Sequence, residues 1–205
     1  MSRRLDNLDP DRQKRLFESA AEEFAAHGFD GASLNRILAQ SGMGKSSLYY
    51  YFDDKADLFV TLIERTMAIL FKEIGGLDLD RLTAETFWTT FEALYARAVV
   101  VINASPWLVK FGGMFYALRG RPEQGSTTGR VFTATRGWVA TIVARGQALG
   151  VIRHDLPQAL LIDAAMSLLE TLDRWSVRHW AELDAAARAA LPCEHVSLMR
   201  RLLSP

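Results

Sequence analysis

Apolar residues recur at helical spacing along almost the whole chain, and no alternating apolar–polar run exceeds four residues. That periodicity restricts the fold to helices packed on helices. From Asp9 to Ala26, residues Leu16, Phe17, Ala20, Ala21, Phe24 and Ala25 follow the i, i+1, i+4, i+5, i+8 rule of one helix face. Asp9-Pro10-Asp11 starts this helix, with a side-chain acceptor at the N-cap and a proline whose missing N–H costs nothing there. His27-Gly28 stops it. Ser33 can cap a helix to about Gln40, which Ser41-Gly42 breaks, and a second short helix fits Gly44 to Tyr51. Asp54, with Asp57 three residues on, caps a long helix that Gly75-Gly76 ends after Ile74.

Helical spacing continues beyond that point. Thr83 to Asn103 carries Phe87, Trp88, Phe91, Leu94, Tyr95, Ala98, Val99 and Ile102, an arc wide enough to predict a buried central helix. Pro106 opens a helix to about Leu118, with Gly112-Gly113 as an expected bend. Arg119 to Gly125 reads as loop, and helices follow at Ser126–Leu149, Pro157–Trp180 and Asp184–Leu203, the last interrupted by Pro192. The expected fold is all-α with about nine helices. An N-terminal three-helix unit, 1–64, precedes a larger helical unit, 65–205.

Composition excludes several classes. The chain has 205 residues, of which 49% are hydrophobic and 23% charged, so it can bury a substantial core. Val99 to Ile102 is its longest strongly apolar run, far short of the roughly 20 residues of a membrane span. Met1 to Asp6 lacks the apolar stretch of a secretory signal, and a lone Cys193 excludes an intrachain disulfide. A cytoplasmic protein without a membrane partner is expected. Twenty-four basic residues balance twenty-four acidic ones, so whole-chain charge offers nucleic acid no attraction.

The short helix pair has the helix-turn-helix arrangement, whose second helix enters the DNA major groove. Around that second helix, Gly44, Leu48 and Phe52 share one face and point inward. Ser46 and Tyr50 point the opposite way, flanked by Ser47 and Tyr49, with Lys45 and Tyr51 at the margins. Hydroxyls can bond base edges or phosphates, and an aromatic ring can lie on a thymine methyl. Residues 31–52 contain Arg36 and Lys45 and no acid, although residues 1–65 hold nine basic side chains against eleven acidic. Plain packing is the competing reading of the tyrosine triplet.

The run Gly28-Phe29-Asp30-Gly31-Ala32-Ser33-Leu34, then Ile37-Leu38-Ala39, Ser41 to Phe52 and Lys55-Ala56-Asp57-Leu58-Phe59 resembles the DNA-binding domain of TetR/AcrR-family transcriptional regulators. The resemblance covers about residues 10–60, and Gly150 to Pro157 is similar to the connection before the family's last two helices. It implies that Ser33 and Asn35 meet phosphate or a base and that Lys45, Ser46, Ser47 and Tyr50 read the groove. It implies further that Tyr49, Tyr51 and Lys55 touch the DNA backbone. Position 51, a tyrosine here, is often histidine in the family, and either residue can donate to phosphate. A homodimer through the last two helices and an effector cavity among the middle ones also follow from it. The implied partners are a palindromic double-stranded operator, a small apolar or aromatic effector and a second copy of the chain, with repression the expected outcome.

Candidate cavity residues are Trp88, Phe91, Tyr95, Trp107, Phe111, Phe115 and Trp138, with Arg136, Glu170 and Asp173 as polar anchors. Plain core packing, or a solvated face for the charged ones, is the competing account. Leu161, Ala164, Leu168, Leu172 and Trp175 step along one helix and, with Leu198, Met199, Leu202 and Leu203, can build a two-fold four-helix interface. An intramolecular core would use the same stripe. His27, His154, His179 and His195 have no metal-ligand spacing and read as exposed, and no cofactor or metal is expected. Catalytic patterns such as G-x-S-x-G are absent, so the chain is not expected to be an enzyme. Ala39 to Ser46 fits a relaxed phosphate-loop pattern, but the residues before it read as helix rather than the required strand. The alternative function is a helical small-molecule-binding or adaptor protein that does not bind DNA.

Overall fold

Asp9 opens the first helix as the sequence requires, its carboxylate accepting the Arg12 backbone N–H at 3.1 Å ahead of Pro10. This helix, α1 (Pro10–Gly31), buries Leu16, Phe17, Ala20, Ala21 and Phe24. The buried stripe differs from the expected one at three places: Ala25 is exposed, and Ser19 and Glu23 are buried. Gly28 interrupts α1 with φ 65° and ψ 178°, a conformation that only glycine adopts without strain.

The computed structural model describes residues 5–44, 49–117 and 125–205. Ser33 then caps α2 (Leu34–Ser41), and Gly42, left-handed at φ 69°, closes it with its N–H on the Leu38 carbonyl. Residues 49–51 are helical and are designated α3. Asp54 accepts the Asp57 N–H at 2.8 Å while Asp57 accepts the Asp53 N–H at 3.1 Å, a reciprocal cap that starts α4 (Lys55–Ile74). The remaining helices are α5 (Phe87–Ala104), α6 (Trp107–Ala117), α7 (Gly125–Ala148), α8 (Gln158–His179) and α9 (Ala185–Leu203). Among the described residues there are nine α-helical segments and no strand, so the all-α expectation holds.

The chain forms two compact units. One takes the described residues of 1–69 and 106–127, the other those of 70–105 and 128–205. The first therefore contains α6, which a division at residue 64 leaves with the C-terminal part. There α6 packs on α1, burying Leu108, Phe111, Met114 and Phe115, and Lys110 pairs with Glu22. Phe24, Phe29 and Phe59 form an aromatic cluster beside them in the same unit, with Phe59 edge-on to both partners at 5.0 and 5.3 Å between centroids.

In the second unit the core gathers Leu82, Phe87, Val139, Val143, Ile152, Leu161, Ile162, Ala165 and Leu203. The Gly146 carbonyl accepts from both Val151 and Ile152, turning the chain out of α7, and Arg153 donates its backbone N–H to Leu203 at 2.8 Å. Two expectations are corrected. The broad apolar arc of α5 does not make it a buried element: only Phe87 and Val99 are buried, and Val100 is 67% exposed. Apolar width measures what a helix could bury, and the neighbouring helices decide what it does bury. Pro192 does not interrupt α9, which continues through it with the proline buried. It removes one N–H from the ladder without ending the helix. The expected helix after Pro106 forms as α6 and runs through Gly112 and Gly113. The loop expected at 119–125 lies, except for Gly125, outside the described residues.

Candidate nucleic-acid interface

Phe52 is buried, and it draws the end of α3 inward while the two residues at positions 49 and 50 face out. Tyr49 is 54% exposed and Tyr50 56%, far above what a packed aromatic shows. Tyr51 is half-buried, its ring edge-on to Tyr50 at 5.0 Å. Plain packing therefore accounts for Phe52 but not for Tyr49 or Tyr50. Lys45, Ser46 and Ser47 lie outside the described residues.

At the start of α2, Asn35 is exposed and Ser33 half-buried. The Ser33 hydroxyl accepts the Arg36 N–H at 3.5 Å, and its backbone N–H donates to Glu23 at 2.8 Å. Arg36, counted in the sequence as part of a local positive charge, binds Glu23 through both Nε and Nη2, and Nη2 also reaches the Gly31 carbonyl at 2.9 Å. That hydrogen bond, seconded by the Ser33 N–H, holds the Glu23 carboxyl below its ordinary value against the opposing pull of burial. Lys55, expected at a phosphate, donates to the Asp30 and Ala32 carbonyls at 3.1 Å each and lies 4.8 Å over the Phe29 ring.

The other candidates divide between the units. Phe111 and Phe115 are buried and Trp107 half-buried in the first unit. Trp88, Phe91, Tyr95, Trp138, Arg136, Glu170 and Asp173 belong to the second. In that unit Tyr95 donates toward Asp173 at 3.5 Å, and Phe91 meets Trp138 edge-on at 6.5 Å. Burial pushes the Tyr95 phenol well above its ordinary value, and the Asp173 carboxylate pushes the same way. Two proposed anchors are engaged elsewhere: Arg136 forms an exposed ion pair with Asp163 at 2.7 Å, and Glu170, buried, pairs with Arg174.

Two corrections concern side chains the periodicity misassigned. Leu161 is 2% exposed and belongs to its own chain's core, as Leu203 does, so neither is available to a partner. Ala164, Leu168, Leu172, Met199 and Leu202 are half-buried, whereas Trp175 and Leu198 are exposed at 45% and 42%. His195, expected on the surface, is buried with its ring 5.1 Å from Tyr95. Its spacing from Leu191 and Met199 on one α9 face was the available signal. Among the described residues no group of three or more His, Cys, Asp or Glu side chains could hold a metal ion, and no single helix is long and apolar enough to cross a membrane.

A glycine-turned helix pair bearing an outward tyrosine edge, followed by a second helical unit, defines a helix-turn-helix protein with an all-helical C-terminal part. Residues 16–62 match the family model described as bacterial regulatory proteins, tetR family. Over 60 residues the chain is 42% identical to the HTH-type transcriptional repressor SCO4008 of Streptomyces coelicolor, covering 29% of this chain and 31% of that one. The chain spans about a third of the length of the curated relatives it matches. The fatty acid degradation regulator FadR from Bacillus halodurans superposes with a TM-score of 0.71 at 17% identity, over 94% of this chain and 95% of the other. FadR from Bacillus subtilis, solved in complex with stearoyl-CoA, gives 0.71 at 16% identity over 91% and 96%. Residues 16–62 are thus similar to the helix-turn-helix DNA-binding domain of the tetR family, and the chain as a whole shares the all-α fold of these regulators.

Proposed function

We propose that the chain is a dimeric, ligand-responsive transcriptional repressor, with residues 1–64 binding DNA and 65–205 binding effector and partner. The observation that carries this reading is the exposure of Tyr49 and Tyr50 beside a buried Phe52, within the stretch that matches the family. Two copies would present residues 45–51 to successive major grooves of a palindromic operator, about 34–36 Å apart. Exposed Leu160, Trp175 and Leu198 on α8 and α9 support a pairing face. The half-buried Trp88, Phe91 and Tyr95 support an apolar or aromatic effector. Such an effector acts only by favouring one of two subunit arrangements. The helix α4, whose residues belong to both units, is the element shared between reading head and effector domain.

Fluorescence anisotropy with a labelled duplex from upstream of the chain's own gene, against random duplex, tests this. Tyr50→Ala should weaken the upstream duplex more than the random one. Equal losses on both would refute a groove role. A second reading, an adaptor that binds no DNA, draws on the acidic excess of residues 1–65 and on the pairing of Arg36 with Glu23. It predicts no binding of either duplex at low salt.

A further inference from the structure

Residues 28–33 turn the chain from α1 into α2 through a left-handed Gly28, and a turn of that kind needs external support to hold one geometry. Each of the three helices around it supplies one charged group. Glu23, on α1 five residues before Gly28, accepts the Ser33 N–H at 2.8 Å. Arg36, from the first turn of α2, donates Nε to that carboxylate at 2.8 Å and Nη2 to the Gly31 carbonyl at 2.9 Å. Lys55, the first residue of α4, takes the carbonyls on either side, those of Asp30 and Ala32, at 3.1 Å. Three consecutive carbonyls and the following N–H are thus all held by side chains. Phe29, under the Lys55 ammonium, is fixed in turn by Phe24 and Phe59.

We propose that Glu23, Arg36 and Lys55 form a clamp that sets the helix-turn-helix against its two flanking helices, so that Arg36 and Lys55 serve DNA binding as positioning residues rather than as phosphate contacts. This rests on the DNA-binding reading above and assigns these two cations a different task within it. Lys55 directs its donors at two backbone carbonyls, and Arg36 directs its own at Glu23 and the Gly31 carbonyl. Deleting a phosphate contact lowers the salt dependence of binding by about one unit, whereas deleting a clamp residue leaves the number of neutralised phosphates unchanged.

The test uses the full chain, with the upstream duplex and sonicated random duplex as probes at two salt concentrations, on wild type, Lys55→Met, Lys55→Arg and Glu23→Gln. Methionine keeps an apolar stem over Phe29 and removes the donors. Lys55→Met and Glu23→Gln should each weaken the upstream duplex about tenfold, the worth of a charge-assisted hydrogen bond, with the salt slope unchanged. Lys55→Arg should recover most of that loss. Native-state hydrogen exchange at the Ser33 amide should quicken about tenfold in Glu23→Gln, whether or not DNA is present. A salt slope lower by about one in Lys55→Met, with equal loss on random duplex, would overturn the clamp in favour of a phosphate contact. So would an unchanged Ser33 exchange rate. A wild-type chain that binds neither duplex removes the positioning role together with the DNA-binding reading, and exchange then shows separately whether the turn is clamped.

Discussion

Gly146 and Gly137 lie on the same helix, α7, and the same substitution should move stability in opposite directions at the two positions. A Cβ at Gly146 would stand 2.5 Å from Ile152 Cδ1, 2.6 Å from its Cγ1 and 2.9 Å from Phe87 Cζ. Both neighbours are fully buried in the core, so each must retreat by about 1 Å into packed surroundings to reach van der Waals separation. Overpacking of that size costs about 1–3 kcal/mol, against a gain of about 1 kcal/mol from replacing glycine inside a helix. Gly146→Ala should therefore destabilise by up to about 2 kcal/mol. At Gly137 nothing lies within 4 Å, and only the propensity gain remains. The two variants should differ by the overpacking cost alone, about 1–3 kcal/mol, which separates their Tm values by roughly 2–12 °C for a chain of this length. Urea and thermal unfolding followed by circular dichroism measure both. A Gly146→Ala protein as stable as Gly137→Ala would refute the close approach of α7 to Ile152 and Phe87.

Other expectations follow from charge and burial. Glu23 has a folded-state pKa below its unfolded one, so its contribution is complete above about pH 4.5 and disappears as pH falls through the depressed value. Unfolding free energies of wild type and Glu23→Gln from urea titrations should differ by about 1 kcal/mol at pH 7 and converge as pH falls through the depressed value; a gap that stays constant refutes the linkage. Burial lowers the His195 pKa, with the Glu194 carboxylate opposing and the Tyr95 ring packed against it. The folded state therefore binds fewer protons, and stability should decline as pH drops below about 6.5 in wild type but not in His195→Leu. Leu198→Glu should convert a sedimenting dimer to monomer without lowering monomer stability, while Leu161→Ala should cost about 2–5 kcal/mol of stability through the core. The reverse pattern would exchange the two faces of α8 and α9.

Local rules explain what was legible in the sequence. Caps at Asp9, Ser33 and Asp54 and left-handed glycines at 28 and 42 act within four residues, and the structure forms each of them. Whatever depends on a distant neighbour was hidden. Glu23 interrupts an apolar stripe because Ser33 and Arg36 fold back onto it, and no period announces that pairing. Leu161 and Trp175 belong to one regular stripe, yet the first meets the core and the second faces outward, because the helix turns relative to its cover. Nor did aromatic content give any sign that α6, which carries Trp107, Phe111 and Phe115, packs on α1. At the reading edge, the outward tyrosines were legible because a buried Phe52 fixes the phase of α3. The engagement of Lys55 was not, because its acceptors are backbone atoms.

The bond from Arg153 to Leu203 bears on the order of events at the ribosome. Leu203 also joins the cluster around Phe87 and Leu82, so those earlier residues must wait for α9 before their hydrophobic surface is fully covered. The unit of 1–69 waits as well, for the segment that carries α6. Vectorial synthesis would thus let the reading head consolidate first, leaving the C-terminal helices as the nascent segment most in need of chaperone shelter.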